Sequence, residues 1–445
     1  MMSIIRCFLA AFAATLLLGC GTALAQGDIR DAEIESTLRL YYTPIFKAAG
    51  LDPSAVHVYI INDPQLNSFV AGGQNVFINT GTIMRSETPN QLVGIVAHET
   101  GHIAGGHLIR TEEALRNASI ESIIALVAGA AAGAAGHNMS MGTLGAEGVG
   151  TRSFLAFSVA QEATADQAAL NFLDKTHQSA RGLLQFFQIL QGTELLTGIR
   201  ETPYLRTHPL TSQRVDYIRN HVEHSPYSDV PDPPEWVELH KRMKAKLISF
   251  LSAPSVTLRQ YPPSDTSIAG RYARAIANYR IPDLKKAVDQ MDGLIKDEPK
   301  NPFFYEMKGQ MLFENGHVRD ALGPYREAVR LAPDIALLKV ELGQVEIESE
   351  DPALLKDAVT HLRSAVVYEN RNPEAWHFLG VAYGKSGDEG NALLALAEES
   401  MANGDAKAAR SQADRASHLL PFGSPAQLRA EDVKFEAEHA LKKGQ

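Results

Sequence analysis

The chain has 445 residues, 45% hydrophobic and 21% charged, with a formal net charge of -10. That length exceeds what one hydrophobic core usually holds, so two or more domains are expected. No dense Lys/Arg run is available to neutralise phosphates, which argues against a nucleic-acid partner and leaves peripheral membrane association open.

The first 25 residues read as an export leader rather than as part of a fold. Arg6 supplies a positive start, Phe8 to Leu18 is an apolar run too short to span a bilayer, and Ala23-Leu24-Ala25 offers the small-x-small pattern of signal cleavage. Cleavage after Ala25 is the favoured reading and implies a periplasmic protein. The alternative is a lipoprotein, because Leu17-Leu18-Gly19-Cys20 resembles a lipobox with Cys20 as the lipidated residue. Both cysteines, Cys7 and Cys20, lie in this leader, so a core that needs no disulfide is expected.

Residues 28–50 predict a helix, with Ile34, Leu38, Tyr41, Tyr42, Ile45 and Phe46 at helical spacing. The β-branched run 56–61 predicts a strand. Ser68-Phe69-Val70-Ala71 and Asn75-Val76-Phe77-Ile78-Asn79, parted by Gly72-Gly73, predict a hairpin. A helix starting at Thr88-Pro89-Asn90 carries His98-Glu99-Thr100-Gly101-His102 and is expected to continue toward Asn117. Residues 118–150, rich in Ala, Gly and Met, read either as a packed or mobile loop or as a lid over the site. Helices are predicted over 153–176 and 180–197. Prolines crowd 226–234 and 254–263 around a helix from Glu235 to Leu251, so 225–266 reads as a connection.

Beyond residue 266 the chain repeats. Ala287 and Ala321, Pro299 and Pro333, and Gly309 and Gly343 are each 34 residues apart, while Ala321 to Ala358 spans 37. A period of 34 with small residues at helix crossings is the tetratricopeptide signature, and about four units are expected. Each unit buries its apolar side only against the next.

The HETGH pentapeptide points to zinc chemistry through its geometry. His98 and His102 lie about 40° apart around a helix, so both rings face one point. Glu99 is placed to take a proton from a water activated by the ion. His107 would lie about 180° from His98 and is read as structural or as support for a ligand. A catalytic zinc needs a third protein ligand and an open position. Glu162, in Gln161-Glu162-Ala163-Thr164-Ala165-Asp166, is the favoured candidate, ahead of Glu112, Glu113, Glu121 and Glu147. Asp166, one helical turn on, is placed to accept from the far nitrogen of a ligand histidine.

HETGH, Glu162-x-x-x-Asp166 and Thr207-His208-Pro209 with Arg214 together resemble the HtpX-like and Oma-like gluzincin metalloproteases. The leader and the repeats make the chain most similar to the BepA-like periplasmic proteases of Gram-negative bacteria. The resemblance implies a mainly α fold with a small β-sheet, arranged as a leader (1–25), a metalloprotease domain (26–224), a connection (225–266) and a repeat solenoid (267–445). It implies one Zn2+ held by His98, His102 and Glu162, with Glu99 as general base. It also implies degradation and chaperone-like handling of unfolded or misassembled outer-membrane proteins, near the β-barrel assembly machinery. Asn67, Phe69, Val70 and Ala71 match the family strand that pairs with substrate backbone; a purely structural hairpin is the other reading. His208 reads as an oxyanion donor, an inhibitory zinc ligand or a turn residue. Arg214 reads as an oxyanion group or as a pin for a carboxylate such as Glu162.

Overall fold

The computed structural model describes residues 27–107, 159–197 and 203–443. The leader, all of 118–150, Glu112, Glu113, Glu121, Glu147 and the first residues of the helix expected over 153–176 therefore lie outside the described residues, while the helix expected to continue toward Asn117 ends at Ala104. Within them the fold is mainly helical with a four-stranded sheet of order β1-β2-β4-β3.

The sheet comprises β1 (Asp28–Ile29), β2 (His57–Ile61), β3 (Ser68–Ala71) and β4 (Asn75–Asn79). β2 runs parallel to β4, and the hairpin β3–β4 is antiparallel with Phe69 opposite Phe77. Gly72 and Gly73 both take positive φ (59° and 94°), which is why the turn is built from glycine. The chain start differs from expectation. Residues 28 and 29 pair with Ile61 and Ile60, and the helix α1 begins only at Ala32 (Ala32–Ala48), capped by Asp31. A two-residue strand has no periodicity of its own, so the helical pattern of the sequence reads through it.

Side chains alternate across the sheet. Ile60, Val70, Val76 and Ile78 face the main core with α1 and the zinc-motif helix, while Phe69, Phe77 and Tyr59 stack in a row on the other face. After the short helix α2 (Thr80–Arg85), α3 (Pro89–Ala104) carries the pentapeptide, and α4 (Val159–Lys175) and α5 (Arg181–Thr197) pack against it. The packing is close because of glycines. A Cβ on Gly101 would lie 2.7 Å from the Ala165 carbonyl oxygen, and one on Gly94 would lie 2.7 Å from the Leu183 nitrogen. α6 (Pro203–Thr207) and α7 (Ser212–His224) complete this layer.

α8 (Pro234–Leu251) is more than a connection. Its Met243 and Leu247 are buried in the main core, Trp236 packs against it, and Tyr41 donates to the Trp236 carbonyl at 2.6 Å. Its opposite side meets the repeats: Ala245 packs on Ala269 and Ala273. Lys246 is buried against Asp31 (2.8 Å), Glu306 (3.3 Å) and Glu33 (3.5 Å), and Arg242 also pairs with Glu33. The segment between the domains is thus a shared spine. Its prolines start α8 and α9 (Pro254–Gln260) at their first positions, where a missing N–H costs nothing.

The remaining helices stack as five pairs among the described residues: α10 (Ile268–Arg280) with α11 (Leu284–Asp297), α12 (Pro302–Glu314) with α13 (Val318–Leu331), α14 (Ala336–Glu348) with α15 (Pro352–Val366), α16 (Pro373–Lys385) with α17 (Glu389–Ala402), and α18 (Ala406–Leu419) with α19 (Pro425–Lys443). The repeated glycines mark the crossings. A Cβ on Gly309 would strike the Tyr325 ring at 2.7 Å, and one on Gly343 would strike Leu362 at 2.6 Å. No helix among the described residues is long and apolar enough to cross a membrane.

Candidate metal centre

α3 is buried along nearly its whole length, so His98, Glu99 and His102 project into protein rather than solvent. Gly101 lets α4 approach until Glu162, one turn before Ala165, reaches the two histidines. Glu162 Oε2 lies 3.4 Å from His98 Nε2, and Glu162 Oε1 lies 3.3 Å from His102 Nε2. The two histidine nitrogens are 3.2 Å apart.

His208 follows α6 and joins the same point. Its Nδ1 lies 3.0 Å from Glu162 Oε1 and 3.5 Å from His98 Nε2. One ligand atom from each of His98, His102, Glu162 and His208 falls within 4.8 Å of the others, and all four residues are buried. Tetrahedral ligands at zinc distances of about 2.0–2.1 Å are themselves about 3.3 Å apart, which is the spacing seen between most of these atoms. The donor chemistry, three imidazoles and a carboxylate, fits such an ion.

The supporting contacts follow from α4 and α7. Asp166 Oδ1 lies 2.9 Å from His98 Nδ1, as expected from its place one turn beyond Glu162. Arg214 Nε and Nη2 donate to both oxygens of Asp166 at 2.6 and 2.9 Å, and Nη1 reaches Glu162 Oε2 (2.6 Å) and the Pro209 carbonyl (2.8 Å). All three guanidinium nitrogens are therefore engaged. His107 stands beside a candidate ligand as expected, by another route. α3 ends at Ala104, so the helical projection no longer applies, and His107 Nδ1 comes within 3.0 Å of His102 Nδ1.

Electrostatically the cluster is built for a cation. Burial opposes the ionised Glu162, but His208, His102 and His98 hold it well below the usual carboxylate range. Burial also opposes a charged His98, yet Asp166 and Glu162 raise it to about 9. Burial keeps His102 low. The carboxylates thus draw positive charge to the shared point. Glu99 is different. Both its oxygens are buried and accept no hydrogen bond among the described residues, with His208 Nε2 at 3.7 Å, and burial pushes its carboxyl up. Such a group is available to a water beside the cluster.

Sequence reasoning missed Tyr204. Its buried ring stacks on His208 at 4.5 Å and holds the imidazole in place. The only signal was its position four residues before His208. The hairpin is clearer: β3 is a sheet edge, with no strand on its outer side among the described residues. Asn79 N–H donates to the Asn67 carbonyl. By antiparallel alternation Phe69 and Ala71 then bond inward, and Ser68 and Val70 turn their N–H and C=O groups outward. Asn67 itself is engaged, since its N–H and C=O both bond Thr82 Oγ1.

With this geometry established, the comparisons are decisive for one segment. Residues 29–222 match the profile of peptidase family M48. They form an M48 metallopeptidase domain. The chain is 23% identical to the beta-barrel assembly-enhancing protease of Yersinia pestis, over 91% of this chain and 86% of that protein. It is 23% identical to the protein of the same name from Escherichia coli O157:H7, over 84% and 76%. The metalloprotease LoiP of Escherichia coli K12 is 27% identical but covers 46% of this chain and 77% of its own. Among solved structures, the TPR protein YrrB aligns with 43% of this chain at 17% identity and a TM-score of 0.30, too distant to add to what the helix pairs show.

Proposed function

We propose that this chain is a zinc endopeptidase of the periplasm that degrades misassembled outer-membrane proteins and assists their assembly, with its repeats recruiting clients or the β-barrel assembly machinery. The observation that carries the catalytic part is the buried donor cluster with an unbonded carboxylate, Glu99, beside it. The names of the full-length relatives and the leader support the client class and the compartment.

His98, His102 and Glu162 would hold the ion. Bound there, zinc would polarise a peptide carbonyl and make a water acidic enough to attack it. Glu99 takes the proton from that water and passes it to the leaving amine. Asp166 keeps the His98 proton on Nδ1, which leaves Nε2 free to bind. Arg214 fixes Glu162 and Asp166 relative to each other. The outward groups of Ser68 and Val70 align an extended substrate with little regard to its sequence.

For His208 the geometry favours the inhibitory-ligand reading, because its Nδ1 stands at ligand spacing from His98 and Glu162. The fourth position a substrate needs is then filled until His208 withdraws. The test is cleavage of a urea-unfolded outer-membrane barrel polypeptide by the zinc-loaded protein. Glu99→Gln is expected to abolish cleavage and retain the metal; full activity in that variant refutes the mechanism. His208→Ala is expected to raise cleavage, and its collapse would refute the closing role.

A further inference from the structure

α3 ends in a turn that brings the chain back onto one of its own candidate ligands. Gly105 closes the helix, with its N–H donating to the Gly101 carbonyl at 2.9 Å. Gly106 takes a φ of 65°, which favours glycine. Its N–H donates to the Ile103 carbonyl, and the His107 N–H donates to the His102 carbonyl, both at 3.1 Å. These two bonds make a Schellman ending, in which the side chain after the left-handed glycine meets the one five residues before it. Here that pair is His107 and His102. Their rings cross at 72° with centroids 5.1 Å apart, and the two Nδ1 atoms lie 3.0 Å from each other. Gly105 leaves room for the contact, since a Cβ there would lie 2.7 Å from His107 Nε2.

His102 turns Nε2 toward the cluster, 3.2 Å from His98 Nε2 and 3.3 Å from Glu162 Oε1. An imidazole that gives Nε2 to an ion is neutral and carries its proton on Nδ1. His102 Nδ1 is then a donor, and the His107 Nδ1 that faces it at 3.0 Å accepts. His107 therefore keeps its own proton on Nε2 and is neutral, because an imidazolium has no acceptor to offer. His98 meets the same need through Asp166, whose charge Arg214 balances.

We propose that His107 is a positioning residue for the metal: as a neutral acceptor it fixes the His102 proton on Nδ1 and turns Nε2 to the ion without adding charge to the site. The proposal rests on the reading of the cluster as a zinc centre. The two helix histidines are thus steadied in different ways, one by a carboxylate paired with a guanidinium, the other by an imidazole that the helix ending delivers. A carboxylate at position 107 would instead place a further negative charge beside the ion and make the attacking water less acidic.

The test measures zinc affinity of the full-length protein by chelator competition in the parent and three variants. His107→Leu covers His102 but offers no acceptor, and is expected to bind zinc about 10–100-fold more weakly. His107→Asn puts a neutral oxygen where Nδ1 stands, and is expected to stay within about threefold of the parent. His107→Asp is expected to bind at least as tightly as the parent, and to move the acidic limb of the kcat/KM profile for peptide cleavage upward by about half a pH unit or more. Parent affinity in His107→Leu overturns the proposal. So does a loss in His107→Asn as large as that in His107→Leu, which marks the contact as packing alone. A His107→Leu loss that comes with a collapsed urea midpoint of the metal-free protein is a folding defect and also speaks against it. An unmoved limb in His107→Asp overturns the part assigned to neutrality. A parent that holds no zinc removes the centre itself, and the proposal with it.

Discussion

Gly101→Ala is a substitution of one methyl group, and the structure assigns it two separable effects. The new Cβ would lie 2.7 Å from the Ala165 carbonyl oxygen and 3.0 Å from its Cα, where ordinary contact begins near 3.4 Å. The obstacle is helix backbone, so α3 and α4 must separate by roughly 0.7 Å rather than rotate a side chain aside. Overpacking of this kind costs about 1–3 kcal/mol of stability. Glu162 sits one turn from Ala165 and moves with it, so its contacts of 3.3–3.4 Å to the two histidines open toward about 4 Å, beyond the spacing a tetrahedral zinc tolerates. Zinc affinity is expected to fall at least tenfold, about 1.4 kcal/mol. Gly94→Ala is the control: its Cβ meets the Leu183 nitrogen at the same 2.7 Å, on the side of α5. It should cost similar stability and retain zinc affinity. Chelator competition gives the affinities, and urea unfolding of metal-free protein gives the stabilities. Equal zinc affinities in the two variants would refute the claim that the α3–α4 approach sets the ligand spacing.

Three further outcomes follow from named contacts. Arg214→Lys keeps the charge but loses the two-pronged contact with Asp166 and is expected to weaken zinc binding about 10–100-fold; wild-type affinity by chelator competition would end the pinning role. Burial, with a smaller contribution from Lys244, lowers His240 to about 4. Its folded value thus lies below an unfolded value of about 6.5, so the unfolded state binds more protons as pH falls from about 6.5 to 4, and up to about 3 kcal/mol of stability is lost across that window. Urea midpoints at several pH values should show the loss in the parent and a flatter profile in His240→Gln; identical profiles would remove His240 as the cause. Lys246→Met strands Asp31 and Glu306 without their shared cation, while Glu33 keeps Arg242, and about 3–5 kcal/mol is expected to be lost. A thermal scan that leaves the midpoint unmoved would deny the spine its ionic contribution.

Local pattern and tertiary assembly contributed different parts of this protein. The spacing of His98 and His102 put both rings on one face of a helix, because four residues nearly close a helical turn. The 34-residue repeat placed Gly309 and Gly343 at helix crossings, because stacked units meet at the same small position each time. The Gly72-Gly73 turn was legible for the same local reason. Period-based reading failed where an element was too short to show a period, at β1, or where a helix stopped, before His107. What no local pattern carries is which distant residues converge. Glu162 stood out from rival carboxylates only through its neighbours and a family likeness. That Arg214 spends all three nitrogens on Asp166, Glu162 and Pro209, and that His208 stands at ligand spacing, depends on how α4, α6 and α7 pack around α3. The joining of the catalytic and repeat segments through α8, and of a repeat loop to Arg30 and to Asn75 of β4, is equally invisible, because buried charges such as Lys246 look like surface charges until their partners arrive from elsewhere in the chain. Sequence periodicity determined the elements and the pairing of the two histidines on one helix face; long-range packing decided which distant side chains, Glu162 and His208, converge on them.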